Sequence, residues 1–217
     1  MRALSAFAAG LGLALLVVGV ALYPMMHPTF TKLLSQRYSL VAQSGLSQPR
    51  ILSIAEQVRE FVVDGDMNSL PATVDGRQGF DAGAVSHLRD VRRVLDGARL
   101  VTGVLAALMA VWLGTEIVRR RFSAIAEGLF VGAGVSVLLV VLAVMAGSVS
   151  FDAFFAWFHG LFFSAGTWQF AENSLLIEVF PEGFWIASGV IWGLEVIVGA
   201  VIFGVAGWLV RGVQTRG

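Results

Sequence analysis

Cysteine is absent from this chain of 217 residues, so disulfides, thiolate metal sites and cysteine nucleophiles are all excluded. Charge is scarce. Asp, Glu, Lys and Arg make up 14% of the residues, where a soluble domain carries about 25%. The formal net charge is +0, which leaves no electrostatic footprint for nucleic acid. Histidine is limited to three positions, His27, His87 and His159. There is no Gly-x-Ser-x-Gly nucleophile elbow, no phosphate-cradling glycine loop and no His-Glu-x-x-His zinc motif. No cofactor and no metal are therefore expected.

What the chain has in excess is apolar surface: 57% of its residues are hydrophobic, and the mean hydropathy is +0.79. A membrane-spanning helix needs roughly 20 mostly apolar residues. Four stretches qualify, from about Leu4 to Leu22, Ala98 to Val118, Leu129 to Ser148 and Phe184 to Val210. The fold class is thus an all-α integral membrane protein with four transmembrane helices and a small extracytoplasmic cap. The first stretch follows Arg2 and has the look of a signal peptide, but its apolar run is long for one and lacks a small-residue cleavage site, so it is read as a span. Arg119, Arg120 and Arg121 fill the short turn between the second and third spans, and Arg2, Arg211 and Arg216 flank the outer two. The positive-inside rule then puts both termini in the cytoplasm and the loops 23–97 and 150–183 outside the cell membrane.

The first outer loop is patterned. After Pro49, which suits a first helical turn, Ile51, Leu52, Ile54, Ala55, Val58, Phe61 and Val62 recur at helical spacing between Glu56, Arg59 and Glu60. Asp64-Gly65-Asp66 ends that helix. Residues 64–80 read as turns with a hairpin, and a second helix runs from near Asp81 into the second span. The apolar faces of this cap are expected to lie on the membrane. The second outer loop is dense in rings: Phe151, Phe154, Phe155, Trp157, Phe158, Phe162, Phe163, Trp168 and Phe170. Such rings favour the headgroup region, either as an anchor or as walls of a pocket for lipid chains.

All three histidines fall outside in this topology and near a membrane boundary. His87 and Asp90 are i, i+3 neighbours in Ser86-His87-Leu88-Arg89-Asp90-Val91, where a carboxylate can fix an imidazole's tautomer and raise its pKa. His159 sits among rings in Trp157-Phe158-His159-Gly160-Leu161-Phe162-Phe163, so its charged form is desolvated. His27, beside Pro28, reads as interfacial. Glu195 lies inside the fourth span, where an ionised carboxylate costs on the order of 3 kcal/mol or more. It is either protonated or turned to the bundle interior near Gly193 and Gly199. On these residues alone the chain fits a lipid-modifying acyltransferase, a non-enzymatic protein docking a partner through its outer loops, or a small transporter coupled through Glu195.

The run His87-Leu88-Arg89-Asp90-Val91 at the head of the second span is one half of a resemblance. The other half is Phe158-His159-x-x-Phe162-Phe163, then Trp168, then Leu176-Ile177-x-x-Phe180-Pro181-x-x-Phe184. With four spans and two outer loops, the chain resembles the lipoprotein intramolecular transacylase family. The resemblance implies a reaction on a diacylated lipoprotein. The sn-2 acyl chain of the S-diacylglyceryl group moves to the α-amine of the N-terminal cysteine, giving a lyso-form lipoprotein. It implies His87 and His159 as the catalytic pair. Asp90, Arg89, Phe158, Phe162, Phe163 and Trp168 are expected to support them or bind substrate, in contact with membrane lipid. The chemistry agrees: direct attack of amine on ester closes a ring of about eight atoms, needs no enzyme nucleophile, and asks for a base, an acid and confinement. Arg89, Arg92, Ser164, Thr167 and Trp168 are all possible oxyanion donors.

The topology has a direct test. A cysteine introduced at position 75 or 166 should react with an impermeant thiol reagent in intact cells, and one at position 120 should stay protected. Labelling at 120 with protection at 75 would turn the whole assignment inside out.

Overall fold

The computed structural model describes residues 2–65, 67 and 69–214; Asp66, Arg216 and the side chain of Arg2 lie outside them. The chain forms two compact units. One comprises the residues up to Leu22, Ala98–Val149 and those from Trp192 on; the other comprises Tyr23–Gly97 and Ser150–Ile191.

The first unit is built from α1 (Arg2–Val20), the later part of α5 (Ala82–Val118), α6 (Phe122–Val149) and the later part of α9 (Glu182–Gln214). All four helices are long and apolar enough to cross a membrane; α5, α6 and α9 each contain one of the apolar stretches, and α1 covers all but the last two residues of the first. At 1.5 Å per residue, α5 extends about 55 Å, nearly twice the roughly 30 Å of a hydrocarbon core. Its opening turns carry Arg89, Asp90, Arg92, Arg93, Asp96 and Arg99, so the crossing portion begins only near Leu100. His87 therefore lies before it.

Packing in this unit centres on α1, whose apolar window is 44% buried against 11–17% for the other three helices. Glycine makes the closest approach possible. A Cβ on Gly10 would stand 2.5 Å from Cβ of Val131, and one on Gly132 would stand 3.1 Å from Cβ of Leu13. Lipid is as apolar as leucine, so such close packing, not the hydrophobic effect, holds helices together there. Trp192 Nε1–H donates to the carbonyl of Val18 (3.2 Å), near the end of α1, where helical carbonyls lack partners. Two carboxylates have a buried oxygen. Glu195 keeps one oxygen buried without a hydrogen-bond partner among the described residues. Glu116, which the sequence reading passed over, is 5% exposed with Arg121 4.0 Å away.

The second unit holds α2 (Pro28–Tyr38), α3 (Val41–Ser44), α4 (Gln48–Arg59), the opening of α5, α7 (Phe151–Phe162), α8 (Leu175–Val179) and the start of α9. The apolar stripe of α4 is buried, with Ile51 and Ile54 at 0% and Phe61 at 2% exposure. It packs against Val74, Phe80, Ala84, Val85 and Leu88, and against Leu175, Leu176, Val179, Phe180 and Phe184. This corrects the expectation that the cap's apolar faces lie on a membrane. The unit has a core of its own, because α8 and the first turns of α5 and α9 supply the opposing face. Arg59 closes the end of α4 across a π turn (Glu60–Asp64), pairing with Glu56 at 2.7 Å and Asp64 at 2.8 Å. The hairpin is real but small: β1 (Thr73–Val74) pairs antiparallel with β2 (Arg77–Gln78). Asp75 and Gly76 between them both have positive φ, as a type I′ turn requires.

One ion pair ties this hairpin down. The guanidinium of Arg77 lies 2.8 Å from the carboxylate of Glu178, which is 3% exposed, and it also donates to the carbonyl of Ser44. The backbone of α8 is held from another side, since Leu40 N–H donates to Glu178 O and Ser39 Oγ–H to Val179 O, both at 2.8 Å. Removing one partner of a buried pair strands a charge, at a cost of about 3–5 kcal/mol. Arg77→Ala should therefore lower the unfolding temperature sharply. Arg50→Ala breaks the exposed pair with Asp75 and should cost less than about 1 kcal/mol. Thermal unfolding in detergent or nanodiscs reads both; equal shifts would contradict the assignment of Arg77–Glu178 as the principal tie.

Candidate active site

The two histidines of the sequence motifs meet inside the second unit. His87 is in the second turn of α5, with Ala84, Val85 and Leu88 beside it turned into the core, and it is 7% exposed. His159 is in the last turn of α7, a helix whose start is capped by Ser150 Oγ accepting from Ala153 N–H. The ring centroids are 6.1 Å apart and the planes are inclined by 29°.

Rings box the pair in. Phe163 lies edge-on to His87 at 4.9 Å and 5.5 Å from His159. Phe170 is 5.5 Å from His87. Around His159 stand Phe155 at 3.9 Å, Trp168 at 4.8 Å and Phe158 at 5.8 Å. Phe162 makes no ring contact with either histidine; it backs Phe158 at 5.2 Å and Phe163 at 6.3 Å. Phe155 and Phe170 were read from the sequence only as members of a ring-rich loop. The signal for Phe155 was its i−4 spacing from His159, which places both on one helix face.

Hydrogen bonding distinguishes the two imidazoles. His159 Nδ1 lies 2.9 Å from the carbonyl oxygen of Phe155. A carbonyl only accepts, so Nδ1 carries the proton and the neutral ring keeps its lone pair on Nε2. His87 Nδ1 is buried with no hydrogen-bond partner among the described residues. Asp90 does not supply one, because its carboxylate pairs with Arg93 at 2.7 Å. The expected His87–Asp90 pairing, with a raised pKa, is therefore replaced by its opposite. Burial, then the neighbouring His159, push His87 down to about 4, and Asp90 opposes this only in part. Burial also pushes His159 down, against the carbonyl of Phe155. Arg89 is exposed, pairs with no acid among the described residues, and is turned about 200° around the helix from His87. The third histidine is elsewhere: His27 Nδ1 accepts from Thr29 N–H at 3.2 Å and caps α2.

Two unlike surfaces flank the box. Trp157, Phe158, Leu161 and Phe162 leave an apolar face of α7 exposed, at 61%, 44%, 57% and 48%. Beside His87 is a half-open cavity of about 350 Å³ with mixed polar and apolar walls, lined by Asp81, Gly83, Ser86, Gly166, Thr167, Gln169 and Phe170.

The fold has solved counterparts. It matches a structure of the membrane-integral lipoprotein intramolecular transacylase Lit from Bacillus cereus with a TM-score of 0.84 and 14% identity, over 100% of this chain and 99% of that one. Two structures of the same protein, with a histidine mutated to arginine and to alanine, match with TM-scores of 0.72 and 0.73 at 14% identity. They too align over 100% of this chain, covering 94% and 96% of theirs. No curated protein sequence gives a match. The class is thus that of helical, membrane-integral proteins, here with an imidazole pair enclosed by rings. The model of the family "Lipoprotein intramolecular transacylase Lit" matches residues 6–185, and the chain belongs to that family. It is an acyltransferase that acts on lipoproteins.

A depressed histidine pKa has a consequence for stability. The unfolded chain takes up a proton near the ordinary value of 6.5, whereas folded His87 does so only near 4. The unfolded state binds more protons between those values, so the stability due to neutral His87 is full above pH 6.5 and is lost as pH falls toward 4. The unfolding temperature should drop across that window, and His87→Gln should flatten the drop. A histidine-specific NMR titration should find His87 neutral at pH 5.5; a protonated ring there would contradict the desolvated site.

Proposed function

We propose that His87 and His159 jointly catalyse transfer of the sn-2 acyl chain of an S-diacylglyceryl cysteine to that cysteine's own α-amine. The site would face the extracytoplasmic side of the cell membrane, with both termini in the cytoplasm. The observation that carries this reading is the pair of stacked imidazoles, desolvated and unpaired with any carboxylate.

In the first step the neutral amine attacks the ester carbonyl through a ring of about eight atoms, counted from nitrogen through Cα, Cβ, sulfur, two glyceryl carbons and the ester oxygen to the acyl carbon. An ammonium, with a pKa near 8, first loses its extra proton to water. As the C–N bond forms, His159 takes a proton from nitrogen at Nε2, the nitrogen its Phe155 bond leaves free. As the ester C–O bond breaks, the same proton passes to the departing alkoxide, which becomes the sn-2 hydroxyl. One proton moves from N to O, and the product holds one amide-linked and one ester-linked chain.

His87 is assigned a different part. A buried acceptor without a partner costs less than a buried donor, so its Nδ1 is the bare nitrogen and Nε2 carries hydrogen. A neutral imidazole can donate that N–H to the oxyanion as charge develops there, and its low pKa keeps it from acting as a competing base. Phe158, Phe162, Phe163 and Trp168 would hold the acyl chains against the pair. Arg89 and Asp90 would stay at the solvent-facing rim. The diacylated lipoprotein is the partner, presented by membrane lipid.

Each single removal, His87→Ala or His159→Ala, should lower the rate about 10²–10⁴-fold. The double variant should lose far less than the product of the two, because residues acting on one transition state are not additive. His27→Ala removes only a helix cap and should convert substrate at close to the parent rate. The reaction is an isomerisation, so the assay is tandem mass spectrometry of the lipoprotein amino terminus, where an N-acyl fragment marks the product. Parent-like rates for both histidine variants, in folded protein, would return the partner-docking reading to first place.

A further inference from the structure

We propose that the cavity beside His87 is the exit for the peptide that follows the acylated cysteine, and that Asp81 makes this exit favour cationic over anionic residues at the first few positions. The proposal rests on the transacylase reading and adds a substrate preference to it.

The argument begins with the substrate. A lipid-modified cysteine joins two hydrocarbon chains to a polypeptide at one residue, so an enzyme enclosing that residue needs one apolar opening and one polar opening. The second unit provides a surface suited to each. The exposed face of α7 is apolar and suits hydrocarbon. The cavity is the more polar of the two, with a carboxylate, two hydroxyls and an amide among its otherwise apolar walls. Phe170 links it to the reacting centre: the ring that lines the cavity is the ring 5.5 Å from His87. Ser86, which also lines the cavity, is the residue before His87. A chain leaving the imidazole pair past Phe170 enters this space.

The walls suit a polypeptide. Gly166, with φ +82°, has nothing within 4 Å of where a Cβ would stand, and Gly83 has only Oδ1 of Asp81 at 3.3 Å and the edge of Phe170 at 4.0 Å. Bare backbone on two sides leaves room for an extended chain of any side-chain type, and a volume of about 350 Å³ falls within the range of peptide-sized and ligand-sized sites. Selection must then come from charge, and the lining holds one charged group. Asp81 Oδ1 accepts from Ala84 N–H at 2.7 Å, which fixes the carboxylate at the head of α5. Its other oxygen forms no ion pair among the described residues, and the side chain is exposed. A carboxylate held in place and left without a counter-ion attracts a lysine or arginine passing it and repels an aspartate or glutamate.

The test uses the full-length enzyme in nanodiscs and synthetic diacylated lipopeptides that differ only at the three positions after the cysteine: lysine-containing, glutamate-containing or neutral. The readout is the ratio of kcat/KM for the lysine and glutamate peptides within each enzyme, so a general loss of activity cancels. The parent should favour lysine by about 5- to 10-fold at low salt, as a partly exposed charge pair allows, and less at high salt. Asp81→Asn keeps the helix cap and should bring the ratio close to one; Asp81→Lys should invert it. Thr167→Lys places a cation at another point of the same lining and should also cut the ratio, which covers the case in which Asp81 variants do not fold. A parent ratio near one, or a ratio unchanged by Asp81→Asn and Thr167→Lys, overturns the exit. A parent enzyme that converts none of the three peptides instead sinks the transacylase reading beneath it.

Discussion

Burial among rings, with no carboxylate paired to either imidazole, disfavours the charged form of both His87 and His159, and the rest of the site is arranged around that constraint. His87 and His159 stand 6.1 Å apart, so protonation of one raises the cost of protonating the other. Neutrality leaves each ring one lone pair and one N–H. The Phe155 carbonyl decides which nitrogen is which for His159, and for His87, whose Nδ1 is buried without a partner among the described residues, the proposed reaction takes Nδ1 as the bare nitrogen. A charged dyad of the His–Asp kind would hold a proton more tightly and return it less readily. In the proposed reaction the proton moves from nitrogen to oxygen within one molecule, so the useful base is one that accepts it and releases it within the same turnover.

Holding two rings in register demands rigidity from segments far apart in sequence. The opening of α5 carries His87, and the same turns contribute Ala84, Val85 and Leu88 to the core shared with α4, α8 and the start of α9. Arg59 fixes the end of α4, and the Arg77–Glu178 pair fixes the hairpin to α8. Without these ties a unit with so short a hairpin and several short helices would have little to resist local opening. His159 depends on a shorter chain of cause: Ser150 starts α7, and the i−4 carbonyl of Phe155 orients the ring near its end.

Much of this was legible because it follows from periodicity and composition. Twenty-residue apolar runs have one use, and the Ile51–Val58 spacing fits one helix face. The partners of those faces were not legible. Glu178 and Arg77 are about a hundred positions apart, and neither is unusual in its local sequence. The cap's core was read as membrane-facing because a stripe of leucine and isoleucine looks the same whether lipid or protein covers it. The His87–Asp90 spacing was correct as helix geometry and misleading as chemistry, since Arg93, at i+3 from Asp90, takes the carboxylate first. The aromatic loop gave the composition of the box but not its order. Phe162 makes no ring contact with either histidine, while Phe155 and Phe170 do.

A transfer within one substrate molecule relieves the enzyme of two usual tasks. It need not bind a second reactant, and it need not carry the acyl group on a nucleophile of its own. What remains is to bring the two ends of a flexible tether together, which is an entropic cost that confinement can offset by several kcal/mol. In the proposed reaction, confinement would be the reason for rings in place of charged contacts. Flat, stiff walls restrict the tether without offering polar groups that would trap the amine or the ester in a non-reacting pose. It would also be the reason that polar groups concentrate on one side only. The reacting centre has to be dry for the neutral imidazoles to work, yet the polypeptide attached to it must reach water, and the cavity past Phe170 is where those two demands can both be met.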